Sequence, residues 1–213
     1  MNGFLKFIVD CFILFYPMKV FGKENIPEGG ALFACNHFRA IDPGFIAKIY
    51  SKDIFFLAKK ELFKNKLFSR ILKGFGAIPI DRESPELKSM LEAVKVLKDG
   101  HKLTVFPEGT RNKSGIELQP IHSGAAFFAA KAKTPIVPIM FLRKPRAFRK
   151  TYIIVGEPFE LSDYYGKKLS QQDIKDMDSI LNQKMVEQHK ILSSMFNEKG
   201  KLIKRKKNAV DKG

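Results

Sequence analysis

Short apolar runs alternate along this chain with segments whose apolar residues recur at helical spacing. Residues 31–35, 54–58, 77–80, 102–106, 135–141 and 152–156 are compact runs of the strand type. Helices are predicted between them. Asp42-Pro43 supplies a capping residue followed by proline at the first helical position, and a helix runs on to about Tyr50. Asn65 to Lys73 reads as a second helix, ended by Gly74. Ser84-Pro85-Glu86 opens a third, with Leu87, Met90, Leu91, Val94 and Leu97 on one face and Asp99-Gly100 as the stop. His122 to Lys131 is Ala-rich and predicts a fourth. Ser170 to about Met195 predicts a long fifth, with Ile174, Met177, Leu181, Met185 and Leu192 on one face and Gln188 as a polar interruption. Strands alternating with helices predict a single α/β domain with a largely parallel central sheet flanked by helices.

The two ends depart from this pattern. Phe4 to Tyr16 is densely apolar, interrupted by Lys6 and Asp10. A spanning helix needs about 20 mostly apolar residues, and no small-residue cleavage site follows as a signal peptide requires. Lys6 and Asp10 are i,i+4 neighbours and share one narrow polar stripe. Residues 1–22 therefore predict an apolar helix lying in the membrane interface; the alternative is a helix buried on the domain. Residues 23–198 form the expected globular domain, and residues 199–213 a basic tail suited to solvent or to anionic lipid.

Charge narrows the choice of partner. The chain has 213 residues, with 38 Lys and Arg against 22 Asp and Glu, a formal charge of +16. Such an excess favours nucleic acid, an anionic membrane or phosphorylated substrates. Two cysteines, Cys11 and Cys35, are too few for a disulfide framework.

Ligands of open α/β sheets bind beyond the carboxyl ends of the strands. After the predicted strands come, in turn, Asn36, His37 and Asp42; Lys59 and Lys60; Asp81 and Arg82; and Pro107 to Arg111. One edge thus collects a histidine, a nearby carboxylate and several cations. On one ideal helix His37 and Asp42 would stand about 140° apart, so they meet only if His37 lies in the loop and Asp42 caps the following helix. Asp42 would then fix the imidazole tautomer and leave the other ring nitrogen as a base. In Phe106-Pro-Glu-Gly-Thr-Arg111, Gly109 permits a positive φ, Arg111 offers a fork for phosphate, and Glu108 could position Arg111 or an acceptor hydroxyl. Each piece alone also reads as a cap, a polar turn or a surface cation. Cys35 closes an apolar strand and reads as a buried structural thiol.

Together these segments resemble the glycerolipid acyltransferase family, over about Val20 to Phe159. Asn36-His37-Phe-Arg-Ala-Ile-Asp42 matches its Asn-His-x4-Asp block, Gly76 to Arg82 its second block, Phe106 to Arg111 its third and Ile136 to Ile139 its fourth. The resemblance is closest to bacterial members that acylate 1-acyl-glycerol 3-phosphate in phospholipid biosynthesis. It implies that His37 and Asp42 are catalytic. It also implies that Lys59, Arg82, Glu108, Gly109, Thr110 and Arg111 bind substrate. The acyl donor would be acyl-CoA or acyl-carrier protein, with no other cofactor and no metal. The fourth block would help build the substrate tunnel. Pro79 departs from the second block and suggests a short or edge strand. The expected partners are a membrane lipid acceptor and an anionic membrane surface, at the cytoplasmic face of the cell membrane. Glycerol 3-phosphate or another lysophospholipid remains an alternative acceptor.

Two rivals come from other classes. A nucleic-acid-binding protein fits the charge but lacks a basic recognition helix or an aromatic-basic motif. A serine hydrolase would want a Gly-x-Ser-x-Gly elbow, which is absent.

Overall fold

The computed structural model describes residues 11, 14–50, 54–81, 86–113, 118–121, 124–197 and 201–203. The expected anchor helix falls largely outside these residues, as does the tail beyond 203. Among the described residues, no helix is long and apolar enough to cross a membrane.

Among the described residues seven strands form one sheet: β1 (Met18–Phe21), β2 (Ala31–Cys35), β3 (Ile54–Lys59), β4 (Ala77–Ile80), β5 (Lys102–Val105), β6 (Ile136–Phe141) and β7 (Thr151–Val155). Their order is β1-β7-β6-β2-β5-β3-β4. Every neighbouring pair is parallel except β6 with β7. The helices are α1 (Asp42–Ile49), α2 (Lys66–Gly74), α3 (Leu87–Lys98), α4 (Phe127–Ala132) and α5 (Gln171–Ser194).

Residues 18–21 correct the boundary of the expected 1–22 anchor. Met-Lys-Val-Phe is a half-buried edge strand paired with β7, from Met18 opposite Thr151 to Phe21 opposite Ile154. Pro17 lacks an N–H, but its carbonyl accepts the Thr151 N–H at 2.8 Å and starts the pairing. At the other edge β4 carries Pro79, a position where a missing donor is tolerated.

The central strand β2 is apolar throughout and fully buried, as expected of a parallel strand covered on both faces. Its period-2 alternation splits the core. Leu32 and Ala34 join Ala93, Leu97, Ala129, Met177 and Leu181 beneath α3, α4 and α5. Ala31, Phe33 and Cys35 join Phe45, Ile46, Val137 and Ile139 beneath α1 on the other face. Burying Phe33 and Phe45 contributes about 1.5–3 kcal/mol each.

Local chemistry sets the helix ends. Asn65 caps α2 by accepting the Phe68 N–H at 3.1 Å. Ser170 and Asp173 form a reciprocal capping box on α5. The fourth helix is shorter than the Ala-rich pattern suggests, since residues 124–126 form a turn and Gly124 has φ 100°. The turn's N–H groups find another acceptor. Buried Asp178 of α5 accepts from Gly124 at 2.6 Å and from Ala126 at 3.3 Å.

Candidate active site

Because β2, β3, β4, β5 and β6 run the same way, their carboxyl ends share one edge. The chain leaves β2 at Cys35 and is pinned at once to the neighbouring strand. Buried Asn36 accepts the Phe141 N–H at 2.8 Å and donates its amide N–H to the Phe141 carbonyl at 3.0 Å. His37, the next residue, starts the loop to α1.

Asp42 is fully buried, and three donors converge on its Oδ2: His37 Nδ1 at 2.9 Å, Phe38 N–H at 2.6 Å and Arg39 N–H at 2.7 Å. Asp42 is therefore not the N-cap of α1, as the sequence suggested. Ile41 occupies that position, and Asp42 is the first helical residue with Pro43 behind it. The one-residue shift turns the carboxylate back over the loop, where it organises residues 37–39. Since the carboxylate accepts, Nδ1 carries the proton and the Nε2 lone pair is left for chemistry. The His37 side chain is 16% exposed and its ring stacks on Phe106, centroids 4.1 Å apart and planes at 27°. Asp42 Oδ1 is buried and has no hydrogen-bond partner among the described residues.

The loop after β5 completes the frame. Glu108 is buried, and its Oε1 accepts the His37 backbone N–H at 2.7 Å. Its Oε2 accepts the Gln119 N–H at 3.1 Å and the Asn112 side-chain N–H at 3.3 Å. Asn112 returns the contact by donating its backbone N–H to the His37 carbonyl at 2.6 Å. Burial pushes the Glu108 carboxyl above the ordinary glutamate range, and the hydrogen bonds from His37, Gln119 and Asn112 only partly offset it. Expected to steer Arg111 or an acceptor hydroxyl, Glu108 instead spends both oxygens on the loops that hold His37. Gly109 has φ 66°, which favours glycine, and its N–H closes a turn onto the Phe106 carbonyl at 3.0 Å. Thr110 and Arg111 are exposed just beyond it, and Thr110 Oγ1 lies 3.4 Å from Gln119 Oε1.

The remaining predicted residues are less tightly gathered. Lys59 ends β3, two strands from β2 in the order β2-β5-β3, or roughly 10 Å across the sheet. It is exposed and sits 3.1 Å from Glu61. Arg82 lies outside the described residues. The buried Cys35 thiol is pushed up chiefly by burial and further by Asp42, which keeps it protonated and unreactive. Among the described residues, no group of three or more His, Cys, Asp or Glu is placed to hold a metal.

The sequence alone gives Phe106, Asn112 and Gln119 no individual role, although Phe106 opens the Phe-Pro-Glu-Gly-Thr-Arg segment. Asn112 immediately follows the Glu-Gly-Thr-Arg segment, a position that could have marked it. Gln119 carries no local signal, since it acts through its backbone.

Comparison with known proteins gives a consistent result. The acyltransferase family model matches residues 17–142, the span that holds every residue of this site. A Bacillus subtilis 1-acyl-sn-glycerol-3-phosphate acyltransferase is 33% identical over 178 residues, 80% of this chain and 87% of that protein. The Streptococcus pneumoniae protein of the same name is 33% identical over 141 residues, 63% of this chain and 51% of its own length. In fold, the chain resembles the crystal structure of the 1-acyl-sn-glycerophosphate acyltransferase PlsC from Thermotoga maritima, with a TM-score of 0.66 at 23% identity, covering 94% of this chain and 81% of that one.

Proposed function

We infer that this chain, which belongs to the acyltransferase family, transfers a fatty acyl group from a thioester to the free hydroxyl of a 1-acyl-glycerol 3-phosphate, giving phosphatidic acid. The observation that carries the reading is the treatment of His37. Its Nδ1 is held by a buried carboxylate and its peptide by Glu108, and the other ring nitrogen has no hydrogen-bond partner among the described residues.

The reaction needs little more. Nε2 of His37 takes the proton of the acceptor hydroxyl as its oxygen attacks the thioester carbonyl carbon. The C–O bond forms, the tetrahedral intermediate collapses, the C–S bond breaks, and the departing sulfur takes the proton from the imidazolium. Asp42 offsets the positive charge that develops on the ring between these two steps. No acyl-enzyme forms, so Cys35 has no part. Arg111, with Lys59 and Arg82, holds the acceptor phosphate. Aligning the two substrates can contribute about 7–11 kcal/mol in favourable cases.

The donor is acyl-CoA or acyl-carrier protein. The acceptor is a membrane lipid, so the chain works on an anionic membrane surface, at the cytoplasmic face of the cell membrane. An interfacial helix before β1 supplies its anchor, a reading supported by the apolar run from Phe4 to Tyr16.

The deciding experiment is an acyl-transfer assay on lysophosphatidic acid with each donor in turn, beside glycerol 3-phosphate as competing acceptor. Phosphatidic acid should form, and His37→Ala should lower turnover by at least about 10²-fold while the protein stays folded. A folded His37→Ala protein with near-normal turnover would end this mechanism.

A further inference from the structure

The connection between β6 and β7 concentrates positive charge beside the site. Residues 143–150 read Arg-Lys-Pro-Arg-Ala-Phe-Arg-Lys, five cations with no carboxylate. Arg143, Arg146, Arg149 and Lys150 are exposed and Lys144 is half-buried. None of the five is ion-paired to a carboxylate among the described residues.

At the tip stands Phe148, 78% exposed and with φ 59°. Glycine or asparagine would hold such a turn with less strain. Here a bulky apolar ring is held in the left-handed region and pointed at water, the kind of local cost that accompanies function. Its backbone is fixed, for the Phe148 N–H donates to the Phe15 carbonyl at 2.7 Å. The two rings meet edge to face at 5.7 Å. Phe15 is itself 52% exposed and Leu14 79%. Leu14, Phe15 and Phe148 thus expose apolar surface on and beside a loop that carries five cations.

Topology sets this cluster at the catalytic edge. The loop leaves β6 at Phe141, whose backbone is hydrogen-bonded both ways by Asn36, the residue before His37. The chain enters β1 from the same edge, since Met18 pairs with Thr151 directly after the loop.

We propose that this loop, together with Leu14 and Phe15, is a docking surface for an anionic lipid bilayer. Phe148 seats at the boundary between headgroups and acyl chains, and Arg143, Lys144, Arg146, Arg149 and Lys150 contact lipid phosphates. Docking turns the His37 edge of the sheet toward the layer that holds the lipid acceptor. That last consequence rests on the function proposed above, whereas the docking itself rests on exposure, charge and the constrained phenylalanine.

The chain contains no tryptophan, so Phe148→Trp places a single reporter at the loop tip. On phosphatidylcholine–phosphatidylglycerol vesicles its emission should shift to the blue and be quenched by lipids brominated in the acyl chain. Lys98→Trp, at the exposed end of α3, should show neither effect. Arg146→Ala/Arg149→Ala should weaken binding to these vesicles by roughly 25-fold, about fivefold for each cation lost. It should leave turnover on a water-dispersed short-chain acceptor unchanged. An unshifted Phe148→Trp emission on vesicles that sediment the protein would overturn the proposal. So would an equal response to a DNA duplex at matched phosphate concentration. Docking that holds while lysophosphatidic acid is not acylated would strike the functional reading and leave this surface standing.

Discussion

The peptide N–H of His37 lies 2.7 Å from Glu108 Oε1, so the loop after β5 holds the backbone of the residue whose ring is held by Asp42. The connections that leave two adjacent parallel strands, β2 and β5, therefore each supply one restraint on the same histidine, Asp42 from the start of α1 and Glu108 from the loop after β5. A base gripped at both ring and peptide keeps its angle to a substrate without help from the substrate itself.

Glu108→Gln tests that restraint. An amide keeps one acceptor where the carboxylate serves three donors. The kcat should fall by about tenfold to a hundredfold, with acceptor KM little changed, as expected for a misplaced base. Stability should respond to pH as well. Burial raises the Glu108 pKa in the folded chain. Between the ordinary value of about 4.3 and the raised one, unfolding releases a proton. Wild-type stability from this residue is full below that window, falls as pH rises through it, and is level above it. Urea unfolding across the window should show this slope in wild type and lose it in Glu108→Gln.

Arg111→Ala should act on binding. Arg111 is exposed on the loop that carries Glu108 and has no role in holding His37. Loss of a charge-assisted contact to phosphate should raise acceptor KM by about tenfold or more, with kcat and donor KM close to wild type. Lysine at this position should restore only part of the affinity, because it lacks the bidentate fork. An unchanged acceptor KM would remove Arg111 from the phosphate site.

Cys35 should prove inert. Its thiol is buried against α1 and held protonated. Iodoacetamide should leave Cys35 unmodified in the native protein and alkylate it after denaturation, as peptide mapping would read. Cys35→Ala should lose about 1 kcal/mol of stability and keep its turnover. Native alkylation of Cys35 that tracked inactivation would revive a covalent mechanism.

Much of this arrangement is legible in the sequence, for local reasons. Ala31–Cys35 and Ala77–Ile80 stand as predicted because compact apolar runs bounded by polar residues leave little choice of element. The meeting of His37 and Asp42 follows from a spacing that a helix forbids and a loop allows. β1 is not legible because Met18–Phe21 follows the apolar N-terminal run across only Pro17, and its partner lies more than 130 residues away. Residues 124–126 were drawn into a helix by alanine propensity, which the turn at Gly124 and the reach of Asp178 overrode. The resemblance implies a substrate role for Glu108, and its place three residues before Arg111 suggests that it positions Arg111 or an acceptor hydroxyl. Its true partners, the His37 and Gln119 peptides and the Asn112 amide, meet it only in the folded chain.

Asp42 separates charge from geometry. All three donors use Oδ2, and Oδ1 is the buried oxygen without a partner among the described residues. An asparagine with its oxygen at the Oδ2 position keeps every one of these hydrogen bonds but buries its NH2 where Oδ1 has no partner among the described residues, at a cost of about 1–3 kcal/mol. Asp42→Asn should therefore fold with less stability than wild type and retain the imidazole tautomer. What it loses is the negative charge facing the imidazolium, and kcat should fall on the order of 10²-fold. Asp42→Ala removes the acceptor as well. It orphans the Phe38 and Arg39 N–H groups at a cost of about 1–3 kcal/mol each and frees the ring to turn. Denaturant unfolding and turnover measured on both variants should rank them wild type, asparagine, alanine in each property. Equal stability of the two variants would show that the backbone donors do not depend on this carboxylate, and the account of the loop given by residues 37–39 would fail with it.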